Sequence, residues 1–395
     1  MLDRKRWQMP LGVLFSTTGP YSIIGTAMYQ GTMLAIEEIG ADPSFDFGFE
    51  PVVMNPDGRL DAYRELCEAM IREHEVVHVV GCYTSSSRKE LIPLLEKRDA
   101  LLWYPSHYEG FECSPNVIYT GASPNQHVVP LAQYLVEAFG PRIYCVGSNY
   151  IWPWECNRVF REIVQKNDGE IVHERYAPMG DTDFGKIIQE IVAARPNVVF
   201  STLIGESCYA FCRAYGALRE AEPSLGLAQV PVASCTLSEP ELVAIGGDAA
   251  LGHLTSSVYL QTVDTPENQR FVASFRHKFG PQAVTSADAE ASYLAVHLLA
   301  RALRDAGETS VEAVRSAVGA VGFAAPQGPV RVDPTNNHCY LTPRIGRSVE
   351  GAMFDVVRTA GEPIRPDPYL VWFDPSQPVL ARGAALPQAR QGGQT

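Results

Sequence analysis

Short apolar runs alternate with amphipathic stretches along most of the chain. The first run, Leu11 to Phe15, has the length of one buried strand, and a helical pattern follows from Thr26 to Ile39. The next helical pattern, Asp61 to His74, leads into Val76 to Val80, which has the continuous apolar character of a strand buried on both faces. Strands that alternate with helices are typical of βαβ units, so the pattern predicts parallel sheets covered by helices.

The same alternation restarts in the middle of the chain. A helical pattern from Val128 to Phe139 precedes a strand at Arg142 to Ser148, and similar patterns continue to a helix at Ala287 to Asp305. A chain of 395 residues is also longer than one hydrophobic core usually serves. We therefore predict two lobes. The segment 376–395 is rich in Ala, Gly, Gln and Arg without periodicity, and we expect it to be disordered.

Composition and charge exclude several classes of function. Lys and Arg total 32 against 45 Asp and Glu, so the formal net charge is −13, which disfavours direct binding to nucleic acid. The longest apolar runs are far shorter than the roughly 18 to 20 residues that span a bilayer, so no membrane insertion is expected.

The cysteines bear on the compartment. The nine cysteines lie singly, or as Cys208 and Cys212 one helical turn apart, without the repeated spacing of a zinc site or a disulfide framework. Together with the absence of a visible export signal, they favour reduced thiols and a cytoplasmic location. The alternative is a periplasmic location, with a signal peptide removed before the sequence begins.

Polar and aromatic turns follow three of the predicted strands. The segment Gly81 to Ser87 places hydroxyls and unpaired backbone amides where a helix begins, at the sheet edge that binds ligands in open α/β folds. The segments Trp103 to Gly110 and Gly147 to Glu155 follow strands in the two lobes, and their aromatic side chains with polar tips suit a small pocket. Two plainer interpretations stay open: one serine only caps the helix, and Trp152 and Trp154 pack between the lobes.

Enzyme signatures do not occur in the sequence. There is no dinucleotide-binding glycine motif, phosphate-binding loop, zinc-protease motif or nucleophile elbow. Cys82 and His107 could be drawn as nucleophile and base, but a cysteine at the end of a strand is usually core and nothing orients the histidine. The nine histidines are too dispersed for a metal site. We expect no catalytic residue, no metal and no cofactor.

Several segments carry a family resemblance. From Leu11 to Phe373 the chain resembles the bacterial type I periplasmic-binding-protein family. It is similar in particular to the amide-receptor branch, the ligand-sensing negative regulators of aliphatic amidase operons, and to the urea-binding components of transport systems. The segments that carry the resemblance include Gly81-Cys82-Tyr83, Tyr104-Pro105, Pro124-Asn125-Gln126, Val263-Asp264-Thr265-Pro266, Ala325-Pro326-Gln327-Gly328 and Arg365-Pro366-Asp367-Pro368-Tyr369.

The resemblance implies a two-lobed α/β fold. Each lobe would be a parallel sheet flanked by helices, with the ligand in the cleft between the lobes. Three crossovers would make each lobe discontinuous in sequence. We expect residues 1–123 plus 253–337 to form the N-terminal lobe and residues 124–252 plus 338–375 to form the C-terminal lobe.

The resemblance also implies a set of ligand-binding residues. They are Tyr83, Ser85, Tyr104 and Ser106 from the first lobe and Tyr150 from the second, although Ser106 departs from the threonine of the amide-receptor branch. The acidic residue of Gly205-Glu206-Ser207 adds a group that could accept N–H bonds from an amide, a urea or an ammonium, so Glu206 completes the predicted site.

The function implied is a non-enzymatic receptor for a small neutral amide or urea. Such a receptor would regulate amidase-type gene expression through a partner, an antitermination regulator protein. The alternative is a solute-binding component of an ABC transporter for urea, short amides or branched-chain amino acids. The oligomeric state stays open, a homo-oligomer included.

Overall fold

The computed structural model describes residues 6–375 and 377–380, which fold into two lobes of the α/β class. None of the described helices is both long and apolar enough to cross a membrane. In chain order the elements are β1 (Trp7–Leu14), α1 (Ser22–Ala41), β2 (Phe47–Met54), α2 (Leu60–Glu73), β3 (His78–Gly81), α3 (Ser85–Arg98), β4 (Leu101–Tyr104), β5 (Val117–Tyr119), α4 (Val128–Phe139), β6 (Arg142–Ser148), α5 (Ile151–Lys166), β7 (Glu170–Ala177), α6 (Gly185–Ala194), β8 (Val198–Thr202), α7 (Glu206–Ala221), β9 (Val232–Ser234), α8 (Glu239–Ile245), β10 (Leu254–Ser257), α9 (Pro266–Phe279), α10 (Ala287–Ala306), α11 (Val311–Val318), β11 (Gly322–Ala325), β12 (Gly328–Asp333), β13 (His338–Tyr340), β14 (Arg344–Val349) and β15 (Met353–Thr359).

Each lobe is built on one mixed sheet. The first has the strand order β11-β12-β13-β5-β4-β3-β1-β2, and the second has the order β15-β14-β10-β9-β8-β6-β7. The interior strands run parallel, as predicted, because helices connect them. The sheets are not parallel throughout. At one edge of the first sheet β11, β12 and β13 pair antiparallel, and at one edge of the second β14 pairs antiparallel with β10 and β15.

Strand membership bears on where the chain crosses between the lobes. The strand at 254–257 pairs with β9 and β14 in the second sheet, and the strand at 338–340 pairs with β5 and β12 in the first. These pairings favour boundaries several residues after the 252/253 and 337/338 that the resemblance implies, because a resemblance does not fix which sheet a short strand joins. We propose crossings near 124, between β10 and α9, and between β13 and β14.

The last described residues lie against α4. The Gln133 side-chain amide donates to the Gln377 carbonyl at 3.0 Å, and the Val379 N–H donates back to the Gln133 amide oxygen at 3.0 Å. Leu380 is buried. Residues 377–380 therefore pack against α4, although the sequence predicts disorder from 376 onward. The rest of that segment lies outside the described residues.

Close packing of α1 on α10 holds one face of the first lobe together. Helix α10 is buried along nearly its whole length, which its alanines and leucines allow. A Cβ atom added to Gly31 in α1 would lie 2.0 Å from the Ala289 carbonyl oxygen of α10. The two backbones therefore approach so closely that only glycine fits at this point.

Gly31→Ala should lower the free energy of unfolding by at least about 1–3 kcal/mol, because the helices must separate to admit the methyl group. Gly40→Ala is the matched control, since nothing lies within 4 Å of a Cβ atom at that position of the same helix. The control should be neutral or stabilising by up to about 1 kcal/mol. Calorimetric thermal unfolding checks both, and equal effects would contradict the packing argument.

Candidate ligand site between the lobes

The carboxyl ends of strands from both sheets meet between the lobes, where the structure brings five predicted ligand residues together. The Tyr104 hydroxyl donates to the Tyr83 carbonyl oxygen at 2.8 Å, which joins the loops after β4 and β3. The Ser106 hydroxyl lies beside Tyr104, and Ser85 begins α3 next to them. Burial raises the pKa of the Tyr83 phenol, and Tyr150 of the second lobe lies close enough to raise it further.

The plainer interpretation, in which one of the serines caps α3, is wrong because the preceding threonine is the cap. Thr84 is the N-cap of α3, and its side chain accepts from the Ser87 N–H at 3.2 Å. The Ser85 hydroxyl donates to the Glu109 carboxylate. The Ser85 and Ser86 amides lie in the first turn, where N–H groups have no partner within the helix, so backbone amides rather than the hydroxyl are suited to donate to a ligand.

One buried cation organises this side of the cleft. Arg88 of α3 is 0% exposed, and its Nη2 lies 3.1 Å from Glu109 Oε1 while its Nε lies 2.5 Å from Glu112 Oε1. The guanidinium carbon lies 4.8 Å and 4.7 Å from the ring centres of Tyr104 and Tyr108. Burial alone would raise the pKa of Glu112, but the Arg88 charge and hydrogen bond outweigh it and lower that pKa.

The aromatic turn of the second lobe has mixed roles. Tyr150 is half-buried, and its hydroxyl has no hydrogen-bond partner in the part of the chain that the structure describes. Trp152 is buried with its ring centre 5.4 Å from that of His107 in the first lobe, so it packs between the lobes, as the plainer interpretation expects. Trp154 is 44% exposed and lies outside the cleft.

Glu206 is not brought into the site. Its side chain is exposed at the start of α7, although its backbone N–H donates to the Pro20 carbonyl of the first lobe at 3.3 Å. The preceding Gly205 has φ +57°, and a Cβ atom there would lie 2.1 Å from the same Pro20 oxygen. This loop is therefore a contact between the lobes, in which glycine is required.

A small cavity marks the space between the lobes. Its volume is about 30 Å³, which is room for roughly two water molecules. The first lobe contributes Pro105, His107, Gly121, Ala122, Asp288 and Ala291, and the second contributes His127, Thr236, Ser238, Glu239, Ser256 and Tyr259 among others.

Several buried polar atoms around this cavity have no partner among the described residues. His127 Nδ1 and Ser256 Oγ belong to residues that line it. Tyr209 Oη and Glu241 Oε1 lie beside each other without hydrogen-bond geometry, and Ser207 Oγ is likewise unpaired on the same helix as Tyr209. Unpaired buried polar groups are costly, so atoms that converge in this way indicate a place for a polar ligand.

Three buried carboxyls that the sequence analysis did not place in the site lie here, and Asp288 is close to both of the others. Burial raises the pKa of Glu239 to about 7, of Glu241 to about 8 and of Asp288 to about 7. The Asp288 charge raises the pKa of both glutamates further. Glu241 completes a capping box with Ser238, and Asp288 sits in the first turn of α10, so each pattern reads as an ordinary helix start in the sequence.

Cys82 belongs to the core rather than to a catalytic pair. The side chain is 0% exposed, and burial raises the pKa of its thiol to about 11. The thiol therefore stays protonated at neutral pH and is a poor nucleophile.

Comparison with known proteins identifies the family. Residues 9–375 match the periplasmic binding protein domain. The chain belongs to this family. A curated relative, Leu/Ile/Val-binding protein homolog 6 of Brucella abortus (strain 2308), is 24% identical over 336 residues, which are 83% of this chain and 84% of that protein.

Solved structures show the same fold. A solute-binding protein of an ABC transporter from R. palustris, in complex with 4-hydroxybenzoate, has a TM-score of 0.79 at 22% identity and covers 90% of this chain and 98% of its own. The leucine-binding protein of Thermotoga maritima MSB8 has a TM-score of 0.76 at 18% identity, covering 89% and 98%. The predicted two-lobed fold is confirmed, and so is a binding protein rather than an enzyme, because these relatives are binding proteins.

Arg88→Met should lower the free energy of unfolding by about 3–5 kcal/mol, because Glu109 would stay buried without its closest cation. Glu112 would keep Lys89, whose Nζ lies 2.6 Å from Glu112 Oε2. Arg98→Met on the same helix is the matched control. Its ion pair with Glu68 is partly exposed, so the loss should be about 1 kcal/mol or less. Thermal unfolding of both variants by calorimetry is the measurement, and similar losses would show that the Arg88 network does not organise the lobe.

Proposed function

We propose that this chain is the solute-binding component of an ABC uptake system, and that a small polar solute draws the two lobes together. The observation that carries the proposal is a set of buried polar groups that approach one another from both lobes. Two of their atoms, Tyr209 Oη and Glu241 Oε1, lack a hydrogen-bond partner among the described residues. Tyr83 and Asp288 come from the first lobe, and Tyr209 and Glu241 come from the second. A solute that bonds to both sets stabilises the closed arrangement over the open one.

The family relatives support transport over gene regulation. The curated relative is named as a Leu/Ile/Val-binding protein homolog, and similar structures are ABC solute-binding proteins. The family description also fits the periplasmic alternative for location better than the cytoplasm. Closer kinship with the amide-receptor branch stays a prediction that rests on the sequence motifs.

Within this function, the cleft favours a solute with N–H donors. Glu239, Glu241 and Asp288 would repel a free carboxylate such as that of 4-hydroxybenzoate, while an amide or urea offers its NH₂ groups to them. Its carbonyl oxygen could accept from the amides of Ser85 and Ser86 at the start of α3. Branched-chain amino acids are the alternative solutes, with the carboxylate at that helix start and the ammonium near the acidic groups.

A ligand-sensing regulator is the second candidate function. All nine cysteines are free thiols, and eight of them are buried. This supports a reducing compartment, in which an antitermination partner would respond to closure of the same cleft. Fractionation of cells that produce the full-length protein distinguishes the two, since a transporter component must be exported.

A thermal-shift panel tests the solute class. Urea, acetamide and propionamide should raise the melting temperature by about 2–5 °C at 100-fold excess over the dissociation constant. Leucine, valine and 4-hydroxybenzoate should not, because each adds a carboxylate to an acidic cleft. A shift with leucine alone would move the proposal to amino-acid transport, and no shift with any small solute would contradict it.

Gly205→Ala should weaken binding of the best solute in that panel by at least about tenfold, because the added methyl group collides with Pro20 of the other lobe when the cleft closes. Gly226→Ala is the control: Gly226 also has positive φ, +70°, but nothing lies within 4 Å of a Cβ atom there. Its affinity should be unchanged in titration calorimetry. Equal affinity of both variants would show that the closed contact at Pro20 is not needed for binding.

A further inference from the structure

We propose that the cleft prefers a cationic N–H donor, of the amidinium or guanidinium class, over a neutral solute of the same shape. The inference rests on the proposed solute-binding function and names the charge of the group that the cleft takes. Three observations lead to it: three buried carboxyls, nearby polar atoms that lack hydrogen-bond partners, and buried arginines of the described chain that bond to other groups.

One carboxyl of the first lobe lies near two carboxyls of the second. Glu239 and Glu241 lie on α8 of the second lobe, and Asp288 lies on α10 of the first. Their exposed fractions are 1%, 0% and 4%. Closing the lobes therefore brings three acidic groups out of water and towards each other, which is costly unless a proton or a cation accompanies them.

No buried cation in the described chain neutralises them. The buried arginines are Arg88 and Arg344. Arg88 is paired with Glu109 and Glu112, as described above. Arg344 donates to the backbone carbonyls of Val258, Thr342 and Gln327, and the carboxyl that acts on its charge is Glu290.

The carboxyls also have acceptor capacity to spare. Glu239 accepts from the Gln261 N–H at 2.7 Å, and Glu241 accepts from Ser238 only through Oε2, which leaves Oε1 buried without a partner. Within the described residues, no side chain donates to Asp288. A planar cation with several N–H groups fills this deficit and supplies the missing charge at once.

Aromatic rings complete the surroundings. Tyr83, Tyr150, Tyr209, Glu241 and Asp288 lie close enough together that the other four all act on the pKa of Tyr83. The face of a tyrosine ring attracts an organic cation, and neighbouring carboxylates add to this attraction. The same rings can pack against the flat, weakly polar faces of a planar solute.

Proton linkage separates the two kinds of solute. The three carboxyls have raised pKa values in the closed cleft, so closure on a neutral solute takes up protons, and its affinity should fall as pH rises from about 5 to 8. Closure on a cation keeps them ionised, so its affinity should stay level over that range. Burial keeps the nearby tyrosines Tyr83, Tyr150 and Tyr209 protonated and the histidines His107 and His127 neutral over that range. Burial also raises the pKa of Glu290 to about 7, but this carboxyl is bonded to Gln327, and its titration is common to both kinds of solute.

The test uses two isosteric pairs, guanidinium with urea and acetamidinium with acetamide. Titration calorimetry of the full chain at pH 7.5 and matched ionic strength, with sodium chloride as the blank for salt, should show each cation binding at least about tenfold tighter than its neutral partner. At pH 5.5 the ratio of the two affinities should be smaller than at pH 7.5, because the affinity for the neutral solute rises as the carboxyls take up protons.

Glu241→Gln and Asp288→Asn, one in each lobe, should each weaken cation binding by at least about tenfold, so that the preference for the cation over its neutral partner is largely lost. Glu220→Gln, exposed on α7, is the matched control and should leave both unchanged. Two variants in separate lobes and the comparison in the unaltered chain keep the test decisive if one variant fails to fold.

Neutral partners that bind as tightly as the cations would overturn this inference and leave the solute-binding function standing. Binding of leucine without either member of a pair would also overturn it, while supporting the transport of amino acids. A cation preference that persists in both variants would place the charge recognition away from these carboxyls and would equally contradict the proposal.

Discussion

The buried guanidinium of Arg88 is the interaction on which the first lobe's side of the cleft depends. It binds two carboxylates from the segment after β4 and lies against two tyrosine rings, so α3, β4 and the following loop are tied to one point. A buried guanidinium is tolerated only when its N–H groups are hydrogen-bonded. The N–H groups of Arg88 bond to protein carboxylates and so hold the lobe together instead of binding a solute. The backbone amides at the start of α3 stay available because the side chains around them are already engaged.

The second lobe has the opposite character. In this lobe Tyr209 Oη and Glu241 Oε1 lack hydrogen-bond partners within the described residues, although Glu241 Oε2 accepts from Ser238. The first lobe's wall is thus held by a paired charge, and the second lobe's wall keeps polar atoms that a solute can bond. This asymmetry explains how a binding protein can hold its shape when empty and still gain from closing on a solute.

Much of this arrangement could be predicted from the sequence, and the omissions have physical reasons. The segments that hold Tyr83, Ser85 and Tyr104 could be found because they lie at the ends of buried apolar strands, whose carboxyl ends must meet at one sheet edge. The family resemblance then implied these residues within the segments. Asp288 could not, because its position in the cleft depends on how a helix far along the chain packs across the first sheet. Glu206 is predicted as a site residue because it is acidic and lies near a strand end. In the structure its loop instead makes a backbone contact with Pro20 of the first lobe. The strands β10 and β13 joined unexpected sheets because pairing partners are set by tertiary packing and not by local propensity.

The three crossings also govern the order in which the protein can be completed during synthesis. The first sheet contains β1, the earliest strand, yet β13 must insert beside β5 before that sheet is whole, and β13 ends at Tyr340. The second sheet is complete only when β14 and β15 have been made, and these two strands follow β13 directly in the chain. Each sheet therefore gains its last strand only after most of the described chain has been made, the first at β13 and the second at β15. A newly made chain keeps incomplete sheet edges exposed for most of its synthesis, which is the interval in which chaperones protect such proteins from aggregation.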